Sequence, residues 1–294
     1  MSKKSFALYI VLFLGLFITG DQVLHKVLIK GLNQYYGIDE PNEIALVGHS
    51  HLMLGLDKVR LEKALDKGIS KYTREGVNVN DRLVMVRQLI DENPNLKTVI
   101  YGVDAWTFTG EGLSDNSYKL FYPFLDSPNI DEYVYNNSEK LEYLTKKHIK
   151  SSRYNELLLA GAVRGYFNKW DNLKFGELDT LKLKMEIDKG NYRKIANNEA
   201  NITVFKETMA LLMANDIKVV LLYVPTIDML ETIQKEEFDE TIQIFKSQTN
   251  GDITFLNFQE PWSHRYELFF DPIHLNPQGQ KKITDQLISF LKTR

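Results

Sequence analysis

Hydrophobic and polar positions divide the chain into stretches of different period. After a short basic start at Lys3 and Lys4, residues 6–19 are apolar throughout, save Gly15 and the closing Thr19. As a helix this run rises about 21 Å, short of the roughly 30 Å hydrocarbon core. Ser5 and Gly20 lengthen it, and the two lysines can reach the headgroups with their long stems. No small-x-small cleavage pattern follows: Ile18-Thr19-Gly20 is a poor site. Beyond Asp21 the spacing of Val23, Leu24, Val27 and Leu28 continues an amphipathic helix. The pattern predicts an uncleaved signal-anchor over 1–30, with a buried core helix as the other reading. Lys3 and Lys4 then stay on the cytoplasmic side and the remainder is exported. Residues 31–43, with Gly31, Tyr35-Tyr36-Gly37 and Asp39-Glu40-Pro41-Asn42, read as a linker.

From residue 44 short apolar runs alternate with helical periodicity. Strands are predicted at 44–48, 69–74 and 98–103, and helices at 56–67 and 81–91. In the second helix Leu83, Val86, Leu89 and Ile90 share one face. A strand–helix–strand–helix–strand order implies right-handed parallel crossovers. The pattern returns later: a helix at 202–215, a strand at 218–224 ended by Pro225, a helix at 238–247, a strand at 253–258 and a last amphipathic helix at 277–292. The fold class is therefore α/β, a three-layer α/β/α arrangement on a parallel, flavodoxin-like sheet, its halves at 44–106 and 201–294. Between them, 107–200 is rich in aromatics, Asn and Lys, with helical patches at 138–149 and 154–168. It reads as an inserted helical cap. Its rings Tyr118, Phe121, Tyr122 and Phe124, with Trp106 and Phe108, either line a substrate groove or pack the cap.

Composition narrows the classes. The chain has 294 residues, 44% hydrophobic and 26% charged, as expected of a folded protein. A net charge of −3 gives no basic field, so no nucleic-acid partner is expected. Lys146-Lys147 and Lys281-Lys282 read as solvated helix faces. There is no cysteine, which excludes disulfides, thiolate zinc sites and a thiol nucleophile.

Two stretches carry candidate chemistry. The first strand ends at Gly48, and His49-Ser50-His51 follows. Ligands of open α/β sheets bind beyond the carboxyl ends of strands, which is where Ser50 falls. Alternatively, Ser50 or His51 caps the next helix. Far along the chain, Asp271-Pro272-Ile273-His274 places a carboxylate and an imidazole three residues apart. A serine hydroxyl needs a base, and the base a carboxylate to fix its tautomer. Leu52 occupies the last position of a Gly-x-Ser-x-Gly elbow, so the α/β-hydrolase motif is not present. His-x-His can bind zinc, but side chains at a strand-to-helix turn diverge, and neither a metal nor another cofactor is expected. His148 and His264 read as surface or packing residues; Asn276 and Gly279 read as setting the turn into the last helix.

Together the two stretches resemble the SGNH/GDSL hydrolase superfamily over roughly 40–110 and 215–294. Gly48-His49-Ser50 matches its Gly-Asp-Ser block, with His49 in place of Asp. Asp271 to His274, followed by Leu-Asn-Pro-x-Gly, matches its last block. Among its members the chain is most similar to membrane-anchored proteins that O-acylate bacterial cell-surface polysaccharide. The resemblance implies Ser50 as nucleophile, His274 as base and Asp271 as its orienting carboxylate. It implies an oxyanion hole from the Ser50 N–H, Gly76 and the position of Asp104, where the family has Asn. An ionised Asp cannot donate, so Asn78 or Asn80 is the alternative. His49, His51 and Trp106 are expected to shape the substrate pocket. Two functions follow. One is a Ser-His-Asp O-acyltransferase or esterase acting on a cell-surface glycan, served by a membrane-bound acyl donor protein. The other is a non-catalytic glycan-binding or scaffold subunit of an envelope assembly.

Overall fold

The computed structural model describes residues 2–110, 114–170 and 172–293. In chain order, α1 spans Lys3–Tyr36, β1 Ile44–Gly48, α2 Ser50–Gly55, α3 Lys58–Leu65, β2 Ile69–Thr73, α4 Val79–Glu92 and β3 Thr98–Val103. A helical segment follows: α5 Pro128–Asn137, α6 Lys140–His148, α7 Glu156–Tyr166, α8 Thr180–Asp188 and α9 Glu199–Ala214. Then come β4 Lys218–Tyr223, α10 Asp228–Ile233, α11 Lys235–Ser247, β5 Ile253–Asn257, α12 Gln259–Trp262, β6 Phe269–Asp271, β7 His274–Leu275 and α13 Pro277–Lys292.

The chain forms two compact units. One comprises the residues up to Tyr35 together with Tyr118–Lys169; the other comprises Tyr36–Ser117 and the chain from Trp170 onward. The 107–200 segment, expected as one insertion, is thus divided between them. Helix α1 also runs on to Tyr36, so the first six positions of the expected 31–43 linker are helical. The amphipathic spacing that begins at Val23 does not stop at Gly31, because the glycine faces Ala162 of α7 at a backbone distance that no side chain allows. α1 is the described helix long and apolar enough to cross a membrane.

In the larger unit, five described strands form one parallel sheet in the order β2-β1-β3-β4-β5. This is the flavodoxin-like doubly wound order, whose direction reverses between β1 and β3. The strands read as near-continuous apolar runs because helices cover both faces; β1 and β2 are buried at every position. The one basic side chain in those two strands, Lys71 on the edge strand β2, is satisfied by the Leu56 carbonyl at 2.7 Å. Helix starts are written locally. Asn78 and Asp81 form a reciprocal capping box on α4. Asp57 caps α3, and Asn276 caps α13, with Pro277 at its first turn.

Two glycines decide where α2 can lie. A side-chain carbon on Gly48 would come within 3.1 Å of Leu52, and one on Gly102 within 2.9 Å. Their absence on neighbouring strands lets Leu52 sink against the sheet. Ser50 is thereby held at the first turn of α2, directly beyond the β1 carboxyl end.

Candidate active site

Ser50, His274 and Asp271 come together although they are far apart in sequence. Asp271 and His274 face each other across the antiparallel pair β6–β7, in register with one another. Asp271 Oδ1 accepts the backbone N–H groups of Ile273 at 3.0 Å and His274 at 2.9 Å. Its Oδ2 lies 2.8 Å from His274 Nδ1. Burial opposes ionisation of Asp271, but the His274 contact and these two amides hold its carboxyl below the ordinary value. A carboxylate at Nδ1 places the imidazole proton there and leaves Nε2 as a lone pair. Ser50 Oγ is 2.8 Å from that Nε2 and donates its proton to it. The order carboxylate–imidazole–hydroxyl is that of an activated serine nucleophile. Ile227 N–H donates to the Pro272 carbonyl at 3.2 Å and braces the bend between the two triad members.

His49, His51 and Asp104 build a second polar cluster under the first. Asp104 follows β3, on the strand adjacent to β1, and is fully buried. Its Oδ1 accepts the Trp106 N–H at 2.7 Å, and the Thr107 hydroxyl accepts the Asp104 N–H at 2.8 Å. Its Oδ2 contacts His49 Nε2 and lies 3.1 Å from His51 Nδ1. Burial opposes ionisation, but the two imidazoles and the Arg193 guanidinium hold the Asp104 carboxyl well below the usual carboxylate range. Burial pushes both histidines down, His51 further than His49. His49 Nδ1 accepts the His51 backbone N–H at 3.2 Å, which requires a lone pair there and a proton on Nε2. His49 is thus neutral, with its protonated Nε2 in close contact with Asp104 Oδ2. The His51 ring stands edge-on to His274 with centroids 5.3 Å apart, so the cluster abuts the base.

The three residues present candidate metal-ligand atoms within 4.8 Å of one another. The His49 tautomer disfavours that use, because the nitrogen facing Asp104 carries the proton and offers no lone pair. The cluster is held by close contact and is not closed by hydrogen bonds: Asp104 Oδ2 and both ring nitrogens of His51 are buried without a hydrogen-bond partner among the described residues.

The other expected site residues fall as follows. The Ser50 N–H heads α2, where an amide has no intrahelical acceptor. Gly76 has φ +76 in the loop after β2. The Asn78 side chain accepts the Asp81 N–H at 3.0 Å and is committed to capping; Asn80 is exposed. Asp104 accepts the Trp106 N–H through Oδ1 and lies against two imidazoles through Oδ2, which disagrees with a donor role. Trp106 is 1% exposed and its indole N–H donates to the Arg193 carbonyl at 3.0 Å. It shapes the site from beneath and is not a stacking surface. Tyr118, Phe121, Tyr122, Phe124 and Phe108 are likewise buried, so these rings pack their own units. His264 is exposed beside Asp228 and Glu260. Sequence reasoning missed Arg193, and also Arg82, whose fully buried guanidinium donates to the Gly102 carbonyl at 2.9 Å. The only available signal was their charge, which is not distinctive in a chain with 36 Lys and Arg.

Comparison with known proteins gives little more. No family model and no curated protein matches the chain. Among solved structures it is similar to a candidate platelet activating factor from Streptococcus pneumonia, at 11% identity and a TM-score of 0.38, covering 97% of this chain and 99% of that one.

Proposed function

We propose that the larger unit is a serine-dependent acyl-transfer domain of the SGNH kind. The observation that carries this is the relay from Asp271 through His274 to Ser50, with both contacts at 2.8 Å. The motifs Gly48-His49-Ser50 and Asp271 to His274 support the same reading. Ser50 Oγ attacks an ester carbonyl as its proton passes to His274 Nε2. The tetrahedral oxyanion is met by the Ser50 N–H, and the loop at Gly76 is the candidate for a second donor. Each such donor contributes about 2.7–4 kcal/mol. His274 then protonates the departing alkoxide, leaving an acyl group on Ser50. A water or a sugar hydroxyl, deprotonated by the same imidazole, resolves it; the first outcome is hydrolysis and the second transfer.

The substrate we propose is an O-acyl ester on a cell-surface glycan, with α1 as a single-pass bacterial membrane anchor and the domain on the extracytoplasmic side. A membrane protein delivering the acyl group fits that placement. The apolar run of α1 and the basic Lys3 and Lys4 before it support the orientation.

One observation favours the non-catalytic reading. Asp104 stands where the resembled family has a donor, and its carboxylate is occupied by His49 and His51. The test is a fluorophosphonate probe together with p-nitrophenyl acetate turnover. Labelling and turnover in wild type, both lost in Ser50→Ala, with turnover lost in His274→Ala, establish the nucleophile and its base. A wild-type protein that neither labels nor turns over overturns the catalytic reading in favour of a binding subunit.

A further inference from the structure

Helix α7 is apolar on two opposite faces. On one, Leu158, Gly161, Ala162 and Gly165 are buried against α1. Gly161 and Gly165 are four residues apart, the spacing that lets helix backbones meet in membranes. A side chain on Gly165 would collide with the Gly31 carbonyl of α1, and one on Gly31 with the Ala162 carbonyl. On the other face Leu159, Val163 and Phe167 point outward, and Phe167, just past the helix end, is 68% exposed. Within the helix only Glu156 and Arg164 are charged. A helix apolar on two opposite faces has a second apolar surface to cover, by protein or by lipid.

The neighbouring surface says which. The Tyr166 hydroxyl donates to the Val27 carbonyl of α1 at 2.7 Å. Val23, Leu24 and Val27 are themselves exposed beyond the apolar surface that begins at Phe6, with the exposed Lys26 and Lys30 beside them. The outward face of α7 is therefore an extension of the α1 surface that faces lipid. At its tip Asn168 reverses the chain with φ +51, and Lys169 Nζ lies 6.0 Å from the Phe167 ring centre. Aromatic rings beside basic side chains at the end of an apolar segment are the composition of the membrane–water boundary.

We infer that the end of α7, through Val163, Tyr166 and Phe167, rests in the headgroup–acyl boundary of the bilayer next to α1, as a second membrane contact. The inference rests on α1 spanning that bilayer. The absence of cysteine from the chain allows single-site labelling. Phe167→Cys and Phe13→Cys, each made in the full chain, are labelled with bimane. They are reconstituted into phosphatidylcholine–phosphatidylglycerol vesicles carrying a nitroxide either about 5–10 Å below the headgroups or at the bilayer centre. The bimane on the Phe167→Cys variant is expected to be quenched more by the shallow nitroxide, and that on Phe13→Cys more by the deep one. Quenching in Phe13→Cys beside water-like emission in Phe167→Cys overturns the α7 contact and leaves the anchor standing. A blue-shifted label in Phe167→Cys that neither nitroxide quenches means that protein covers the face, and the lipid contact is wrong. If neither variant is quenched and both emit as in water, α1 does not span the bilayer and both readings fail.

Discussion

In the proposed mechanism Asp271 stays a carboxylate throughout, in keeping with a carboxyl held below its ordinary value. Replacing it with Asn keeps the shape but removes the charge that holds the proton on His274 Nδ1. Asp271→Asn is expected to slow acyl-enzyme formation by about 10⁴-fold, read as the rate of fluorophosphonate labelling of Ser50 with the fold intact by circular dichroism. A different acid sets a pH dependence of stability. Glu231 is buried, accepts from Tyr223, Thr226 and Gln259, and burial raises its pKa to about 7. The folded value lies above that of the unfolded chain, so its contribution is complete below the unfolded pKa of about 4.3 and is lost as pH rises through 7. The loss is on the order of 3 kcal/mol. As pH is raised from about 4.5 to 8, denaturation midpoints should decrease in wild type and decrease less in Glu231→Gln. At this scale the two motifs that bring Ser50, Asp271 and His274 into contact were legible, because each motif is local. It did not disclose the His49–Asp104–His51 cluster, whose partners meet only because β3 lies beside β1. There a residue expected as a faulty donor is an acceptor through Oδ1, with Oδ2 pressed against two imidazoles.

The strands of the parallel sheet were readable to within a residue or two, since burial on both faces leaves a run such as Val219 to Tyr223 with almost no polar position, whereas the short β6 and β7 were not read as strands. Helix ends marked by Asn78, Asp57 and Asn276 were less plain, because each cap depends on a bond rather than on a pattern. The course of α1 past Gly31 was not readable: its continuation depends on what α7 offers it. Between strands, Gly48 and Gly102 fix the depth of α2. Gly102→Val should overpack Leu52, cost about 1–3 kcal/mol and lift Ser50 from His274. Because a misplacement of about 1 Å costs roughly 10²-fold, labelling of Ser50 should slow by that order while the protein still unfolds cooperatively. An unchanged labelling rate would mean that the depth of α2 is not set by this contact.

On the scale of the molecule, one chain carries a helix long and apolar enough to cross a membrane and a parallel α/β sheet with the proposed triad at its carboxyl edge. The protein should sediment with membranes and resist extraction by alkaline carbonate; release by carbonate would mark α1 as peripheral. The division of the middle segment between two units was hidden from the sequence, since aromatic and helical patterns alone do not say which neighbour they pack against. The separation of Ser50 from His274 by 224 positions has its own consequence. At roughly 5–20 residues per second, synthesis delivers the nucleophile on the order of 10–45 s before its base exists. Through that interval the hydroxyl is an ordinary alcohol. Every strand of the sheet must be made before β6 and β7 can present the imidazole to it. On the proposed mechanism Ser50 becomes reactive only once β6 and β7 have been made, and a probe on Ser50 passes over chains shorter than that.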